Sequence, residues 1–275
     1  MSLIGVFDSG VGGLSILDEA LRQLPQHDYI YLADSANAPY GEKSPEWIAQ
    51  RSLSLCKHLA QSGCDAIVVA CNTATAQAIN DIRAAIPIPI VGVEPGIKPA
   101  AMQSTNGIVG VLATEATLKS DKFNALLSTL PNHCQFIKQA GAGLVPLIEA
   151  GKANDGETLE LLAKHLEPIQ VAGSDTIVLG CTHYPFLRKA IRKLLGDKIN
   201  LIDTSEAVVK QLKRQLEALT PNQAIASTSG NTSQYGTVHF FSSKDEQELL
   251  RMAQDLMHTD LKNHRVSSAQ LGSVS

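Results

Sequence analysis

The sequence predicts an α/β fold of two pseudo-symmetric lobes, each a mainly parallel sheet between two helix layers, with the active site in the cleft between them. Runs of four to six apolar, β-branched residues bounded by turn signals read as strands covered on both faces. Segments with apolar residues at helical spacing alternate with them, which implies parallel pairing through right-handed crossovers. The third observation is a repeat. Asp65-Ala-Ile-Val-Val-Ala-Cys71-Asn72-Thr73 returns 110 positions later as Asp175-Thr-Ile-Val-Leu-Gly-Cys181-Thr182-His183, and Ile4–Ser9 aligns with Val109–Thr114 at an offset of 105. Two matched strands at nearly one offset point to an internal duplication of about a hundred residues, one lobe per copy.

Leu3 to Phe7 is the first strand, ending at Asp8-Ser9-Gly10-Val11-Gly12-Gly13. Apolar residues at 14, 17, 21 and 24 form a helical stripe that Pro25 closes. Tyr29–Leu32 is a short strand emptying into a polar loop, Asp34 to Lys43, marked by Pro39 and Gly41. Ser44-Pro45 is an N-cap followed by proline at the first helical position, and Gly63 is the C′ residue of that helix. After the Cys71 strand, Thr73 caps a helix to about Ala85, and Ile88–Val93 is the next strand. The second copy reads as a strand over Gly107–Thr114 and helices near Leu118–Leu130, Leu144–Ala150 and Glu157–Gln170. The Cys181 strand, a helix over Phe186–Leu195, a strand over Ile199–Ile202 and a helix from Ser205 to about Leu219 complete it. Residues 220–236, rich in Ser, Thr, Asn, Gln and Gly, read as a polar surface loop. Thr237–Phe241 and a helix from Lys244 to about Leu261 must dock on an existing lobe, because a lone strand and helix cannot stand as a domain. Residues 265–275 read as a frayed tail.

A chain of 275 residues can hold two ordinary domains. A net charge of −4 with no run of like charges argues against a nucleic-acid surface, and 4% aromatic residues leave no stacking platform for single strands. No span approaches about 18 consecutive apolar residues, so no membrane helix is expected. The chain opens directly into a strand without a basic, apolar leader, which reads as cytoplasmic. Five cysteines, at 56, 64, 71, 134 and 181, include no C-x-x-C. Free, reduced thiols are the expectation, with neither a disulfide framework nor a metal site.

Each of Cys71 and Cys181 ends a strand, where open α/β sheets place their ligands. One thiol per lobe, facing across a cleft, suits inversion at a tetrahedral carbon. One thiolate removes a proton, the opposite thiol returns one to the other face, and the roles exchange between enantiomers. A single Cys closing a buried strand is more often a packed hydrophobe, and Cys56, Cys64 and Cys134 are read that way. The matched contexts of Cys71 and Cys181 argue otherwise. His183, two residues past Cys181, can polarise its sulfur or hold a carboxylate. Asp8 is the corresponding candidate near Cys71, and Glu149, at the end of an apolar helix, is a weaker one. The Gly10–Gly13 turn lacks the last glycine of G-x-G-x-x-G and any Walker lysine, and Asp8 before it would repel phosphate. Its glycines are read as letting the backbone approach a small ligand closely. Ser9, Asn72, Thr73 and Thr182, with main-chain N–H groups at helix starts, can receive two carboxylates. Two other classes fit in part: a cysteine hydrolase or transferase using Cys181 and His183, and a non-catalytic two-lobed amino-acid binder.

At these residues the chain resembles the cofactor-independent aspartate/glutamate racemase family. The matching pieces are Phe7-Asp8-Ser9-Gly10-Val11-Gly12-Gly13-Leu14, Pro39-Tyr40-Gly41, Ala70-Cys71-Asn72-Thr73-Ala74, Gly110-Val111-Leu112-Ala113-Thr114, Val145-Pro146-Leu147-Ile148-Glu149 and Leu179-Gly180-Cys181-Thr182-His183-Tyr184-Pro185. They span most of the chain in family order, and the Cys-Asn-Thr and Gly-Cys-Thr-His-Tyr-Pro pair points to glutamate rather than aspartate within that family, a racemase of another acidic amino acid being the alternative. The resemblance implies interconversion of L- and D-glutamate without PLP or metal, supplying D-glutamate for peptidoglycan. It implies Cys71 and Cys181 as acid/base thiols assisted by Asp8, Glu149 and His183. Substrate contacts carried over are Asp8, Ser9, Tyr40, Gly41, Asn72, Thr73, Thr182 and His183, with Thr114 and Thr117 added. It also implies a first lobe of residues 1–96 completed by 207–264, with the second lobe, 97–206, inserted. The only macromolecular partner considered is a second copy of the chain.

Overall fold

The computed structural model describes residues 1–130, 134–219 and 235–271. The chain alternates as the periodicities require: β1 (Leu3–Asp8), α1 (Leu14–Gln23), β2 (Asp28–Ala33), α2 (Pro45–Gln61), β3 (Ala66–Val69), α3 (Asn72–Ala85), β4 (Ile90–Gly92) and α4 (Ile97–Gln103). Next come β5 (Ile108–Ala113), α5 (Glu115–Lys119), α6 (Asp121–Ser128), β6 (Gln135–Ala140), α7 (Leu144–Glu149), α8 (Gly156–Val171), β7 (Thr176–Gly180), α9 (Arg188–Leu195) and β8 (Asn200–Ile202). The last elements are α10 (Ser205–Leu219), β9 (Thr237–Ser242), α11 (Glu246–Leu256) and β10 (Arg265–Gln270).

Two sheets result, ordered β10-β9-β2-β1-β3-β4 and β6-β5-β7-β8. The inner order β2-β1-β3-β4 is repeated as β6-β5-β7-β8, and every pairing in both is parallel. Central strands β1, β3 and β7 are buried along nearly their whole length, as sheets covered on both faces demand. One apolar cluster, with α2 and α3, covers one face of the first sheet, and another lies under α4–α6 on the second. The largest cluster runs continuously from β1, α1 and α11 to α7, α8 and β7, so one core joins the two halves. α4 packs against β5 and β7, whereas α10 returns to β3, β4 and α1.

Several local expectations change. Residues 265–270 form β10, a parallel edge strand on β9, and are not frayed; their sequence lacks an apolar alternation because most of the strand is exposed. β6 and α4 were not anticipated. The first is an exposed edge strand carrying Gln135, Lys138 and Gln139, and the second holds Pro99 in its first turn, where its missing N–H is harmless. The helix expected over Leu118–Leu130 is two, because Ser120 accepts from Phe123 N–H and caps α6. α3 starts two residues earlier than expected: Cys71 is the cap, its sulfur accepting from Ala74 N–H at 3.4 Å. Most of the 220–236 loop lies outside the described residues.

Candidate active site

β1 and β3 are neighbours, with Phe7 opposite Val69, and Ala70 N–H donates to Phe7 C=O at 2.7 Å. The side chains that leave these two strand ends, Asp8 and Cys71, therefore sit side by side. In the second sheet Ala113 lies opposite Gly180, so Thr114 and Cys181 leave adjacent ends in the same way. The duplicated strand ends face each other, and several hydrogen bonds cross between them. Thr182 Oγ1 donates to Asp8 Oδ1 at 3.2 Å, and Val11 N–H donates to Glu149 Oε1 at 2.7 Å. Ser15 Oγ reaches Thr182 C=O at 3.1 Å, and the Thr73 and Thr114 hydroxyls pair at 2.9 Å.

The glycine turn after β1 makes this closeness possible. A Cβ on Gly10 would fall 1.9 Å from Glu149 Oε1, and one on Gly12 would fall 2.3 Å from His183 Nδ1. The sequence reading assigned these glycines to a ligand; the side chains they admit come from the opposite lobe. The turn is held from below by Tyr31, whose hydroxyl donates to Gly10 C=O at 2.7 Å, a contact no sequence signal announced.

Around Cys71 the groups are neutral or acidic. Its thiol donates to Ser9 Oγ at 3.5 Å. Burial, then the nearby Asp8 charge, push this thiol up to about 12, against the pull of Ser9 and Ala74 N–H, and charge on Cys181 adds to the rise. Asp8 is wholly buried, and its Oδ2 accepts from Gly10 N–H at 3.0 Å. Burial raises its carboxyl to about 6, even though His183 opposes the rise.

Around Cys181 the groups are basic and ion-paired. His183 Nδ1 lies 3.7 Å from the sulfur and Nε2 lies 2.5 Å from Glu149 Oε1. Burial alone would lower this imidazole, but the hydrogen bonds to Cys181 and Glu149 and their negative charge hold it well above its ordinary 6.5. An imidazole held toward its charged form thus sits beside one sulfur and a carboxyl group near the other.

The other candidate residues line the same place. The Thr117 hydroxyl accepts from Thr114 at 2.8 Å and lies 3.5 Å from the Thr73 hydroxyl, so it backs both. Tyr40 is buried, and Gly41 approaches Thr114 so closely that a Cβ would lie 3.2 Å from its Cβ. Asn72 is 5% exposed, and its Nδ2 has no hydrogen-bond partner among the described residues. Cys56 and Cys64 are buried in the apolar cluster that also holds Cys71 and Tyr40, and all five cysteines are free. Among the described residues no group of three or more His, Cys, Asp and Glu could hold a metal ion, and no helix is long and apolar enough to cross a membrane.

The chain matches the model of the Asp/Glu/Hydantoin racemase family over residues 4–212. It is 54% identical to a glutamate racemase of Ralstonia nicotianae over 215 residues, 78% of each chain. The crystal structure of Escherichia coli glutamate racemase with L-glutamate and the activator UDP-MurNAc-ala superposes with a TM-score of 0.82 at 33% identity, covering 98% of both chains. That of the Francisella tularensis enzyme with D-glutamate gives 0.79 at 26% identity, covering 98% of this chain and 97% of the other. With duplicated sheets, paired strand-end thiols and these matches along nearly its whole length, the chain belongs to the Asp/Glu/Hydantoin racemase family.

Proposed function

We propose that this protein interconverts L- and D-glutamate by two-base proton transfer between Cys71 and Cys181, without a cofactor. The observation that carries the reading is the pair of buried sulfurs at equivalent strand ends, braced toward each other by hydrogen bonds across the cleft. In one direction the Cys181 thiolate, stabilised by the imidazolium of His183, takes the α-proton. The Cα–H bond breaks as an S–H bond forms, and the electron pair moves into the α-carboxylate. The main-chain N–H groups at the start of α3 and the Asn72 Nδ2, which has no partner among the described residues, receive that charge in this reading. Cys71, kept protonated by its surroundings, then gives its proton to the opposite face. The reverse direction starts from the Cys71 thiolate, with Asp8 as the group that accepts its proton. Glu149 orients His183. Ser9, Tyr40, Gly41, Thr73, Thr114, Thr117 and Thr182 complete the walls that hold the two carboxylates and the ammonium.

Both sulfurs are nearly buried, at 5% and 7% exposure. Glutamate therefore enters by separation of the lobes, residues 1–96 with 207–264 and the edge strand β10 against 97–206, and the reaction proceeds out of water after closure. Relatives bound to L- and to D-glutamate support the substrate. The same reading places the protein in the cytoplasm, supplying D-glutamate for peptidoglycan, with a homodimer as the assembly to check by light scattering. Incubation of pure, reduced protein in D₂O with either enantiomer should exchange the α-proton and yield the racemate with nothing added. Absence of exchange would sink the proposal, and a covalent acyl-enzyme on Cys181 would replace it with hydrolase or transferase chemistry.

A further inference from the structure

The loop that carries Tyr40 and Gly41 is tied down by a buried ionic group that plays no part in the proton transfers. Asp34 follows β2, and its backbone N–H donates to Asp8 C=O at 3.0 Å, so it lies beside the reacting end of β1. Its carboxylate is wholly buried and turns toward α2. Arg51 Nε and one terminal nitrogen grip it in a two-point fork, at 2.9 and 2.8 Å. Tyr40 Oη donates to it at 2.6 Å, and Asn37 Nδ2 approaches both oxygens at 3.1 Å. Burial of this carboxylate is offset by these donors, which hold it below the ordinary range for Asp.

The Tyr40 ring is fixed as firmly as its hydroxyl. It lies 6.2 Å from the Phe7 ring and meets the Trp47 ring edge-on at 5.2 Å. With ring and hydroxyl both held, the short turn Tyr40–Glu42 has one position, and it sets Gly41 against Thr114 of the opposite lobe. Thr114 in turn bonds Thr73, two residues from Cys71. Burying the Asp34 carboxylate is costly and a partly exposed Arg51 only partly repays it, so the bidentate pair is weak evidence for stability and a role in fixing one arrangement is its better account.

We propose that the Asp34–Arg51 pair is a positioning clamp for the Tyr40–Gly41 wall, setting how closely the closed lobes grip glutamate. The clamp acts through the Tyr40 hydroxyl that Asp34 accepts from. This inference rests on the racemase reading for its kinetic readout only.

The test compares Asp34→Asn, Arg51→Lys and Tyr40→Phe with the wild type. Arg51→Lys keeps the charge and loses the fork, and Tyr40→Phe removes only the oxygen that Asp34 accepts from. Each should raise KM for both enantiomers by about tenfold to a hundredfold while kcat falls far less, as expected when uniform binding is lost. Arg51→Lys should be the mildest. Asp34→Asn combined with Tyr40→Phe should do little more than either alone, since both break one contact. Amide hydrogen exchange over residues 38–43 should quicken in the variants and slow again at saturating glutamate. Unchanged KM in folded variants, or additive effects in the double variant, would overturn the clamp. If the wild type turns over no glutamate, the racemase reading fails, and unaltered exchange over residues 38–43 would then be what refutes the clamp.

Discussion

The Cys71 wall and the Cys181 wall share a frame and differ in charge. Both cysteines leave strands that pair with the first strand of their copy, and the order β2-β1-β3-β4 within one sheet repeats as β6-β5-β7-β8 in the other. Yet where the first copy has Asp8 the second has Ala113, and where the first has Thr73 the second has His183. The acid therefore sits before the first cysteine and the base after the second, with Glu149 of α7 locking the base in place. A symmetric pair of thiols would leave no preference for which one holds the proton. The unequal partners, Asp8 near one sulfur and the His183–Glu149 pair beside the other, break that symmetry.

The largest effect expected from breaking this comparison is at the sulfurs. Cys71→Ser and Cys181→Ser should each lower racemisation by about 10²- to 10⁴-fold, the range for loss of a positioned acid or base, with circular dichroism of the folded variants unchanged. Turnover of either enantiomer by polarimetry checks it; near wild-type rates in either variant would show that one wall suffices.

Asp8→Asn sharpens the comparison on the acidic side, through stability as well as rate. The wild-type carboxyl, raised by burial from 3.8 to about 6, holds its proton in the folded protein more tightly than in the unfolded chain. Stability is therefore lost as pH rises from about 4 to about 6, by up to about 3 kcal/mol for a shift of roughly two units. Asp8→Asn should remove that slope and be the more stable protein above pH 6, while racemising more slowly. Urea unfolding at pH 4 and pH 7 measures it, and parallel curves for the two proteins would contradict the assignment.

A smaller effect tests whether the walls need to be held together. Ser15→Ala removes the hydroxyl shared between Gly12 C=O and Thr182 C=O. The loss expected is about 0.5–1.5 kcal/mol, seen as a drop in kcat/KM of less than roughly tenfold. An effect as large as that of the cysteines would mean that closure, not proton transfer, limits the enzyme.

The duplication was legible because buried parallel strands leave continuous apolar runs, and because the turn that follows each must present polar groups at a fixed offset. Cys71, Cys181, Asp8 and His183 could be picked from position alone for that reason. Glu149 stood on thinner grounds, since an acid ending a short helix is ordinarily solvated; its importance comes from Val11 N–H and His183 reaching it from two sides. Ser15, Tyr31, Asp34 and Arg51 gave no such signal. Each acts through a partner distant in sequence, and a hydroxyl or ion pair carries no periodicity.

The sequence by itself determined the two parallel sheets, their repeat and the two thiols, because burial and strand-end chemistry are written locally in residue type and spacing. Tertiary structure alone decided that β10 pairs at an edge, that Cys71 caps its own helix, and which sulfur stands beside a cation. Those outcomes depend on which atoms come within hydrogen-bonding distance, and on how far water is excluded, once the two copies fold against each other.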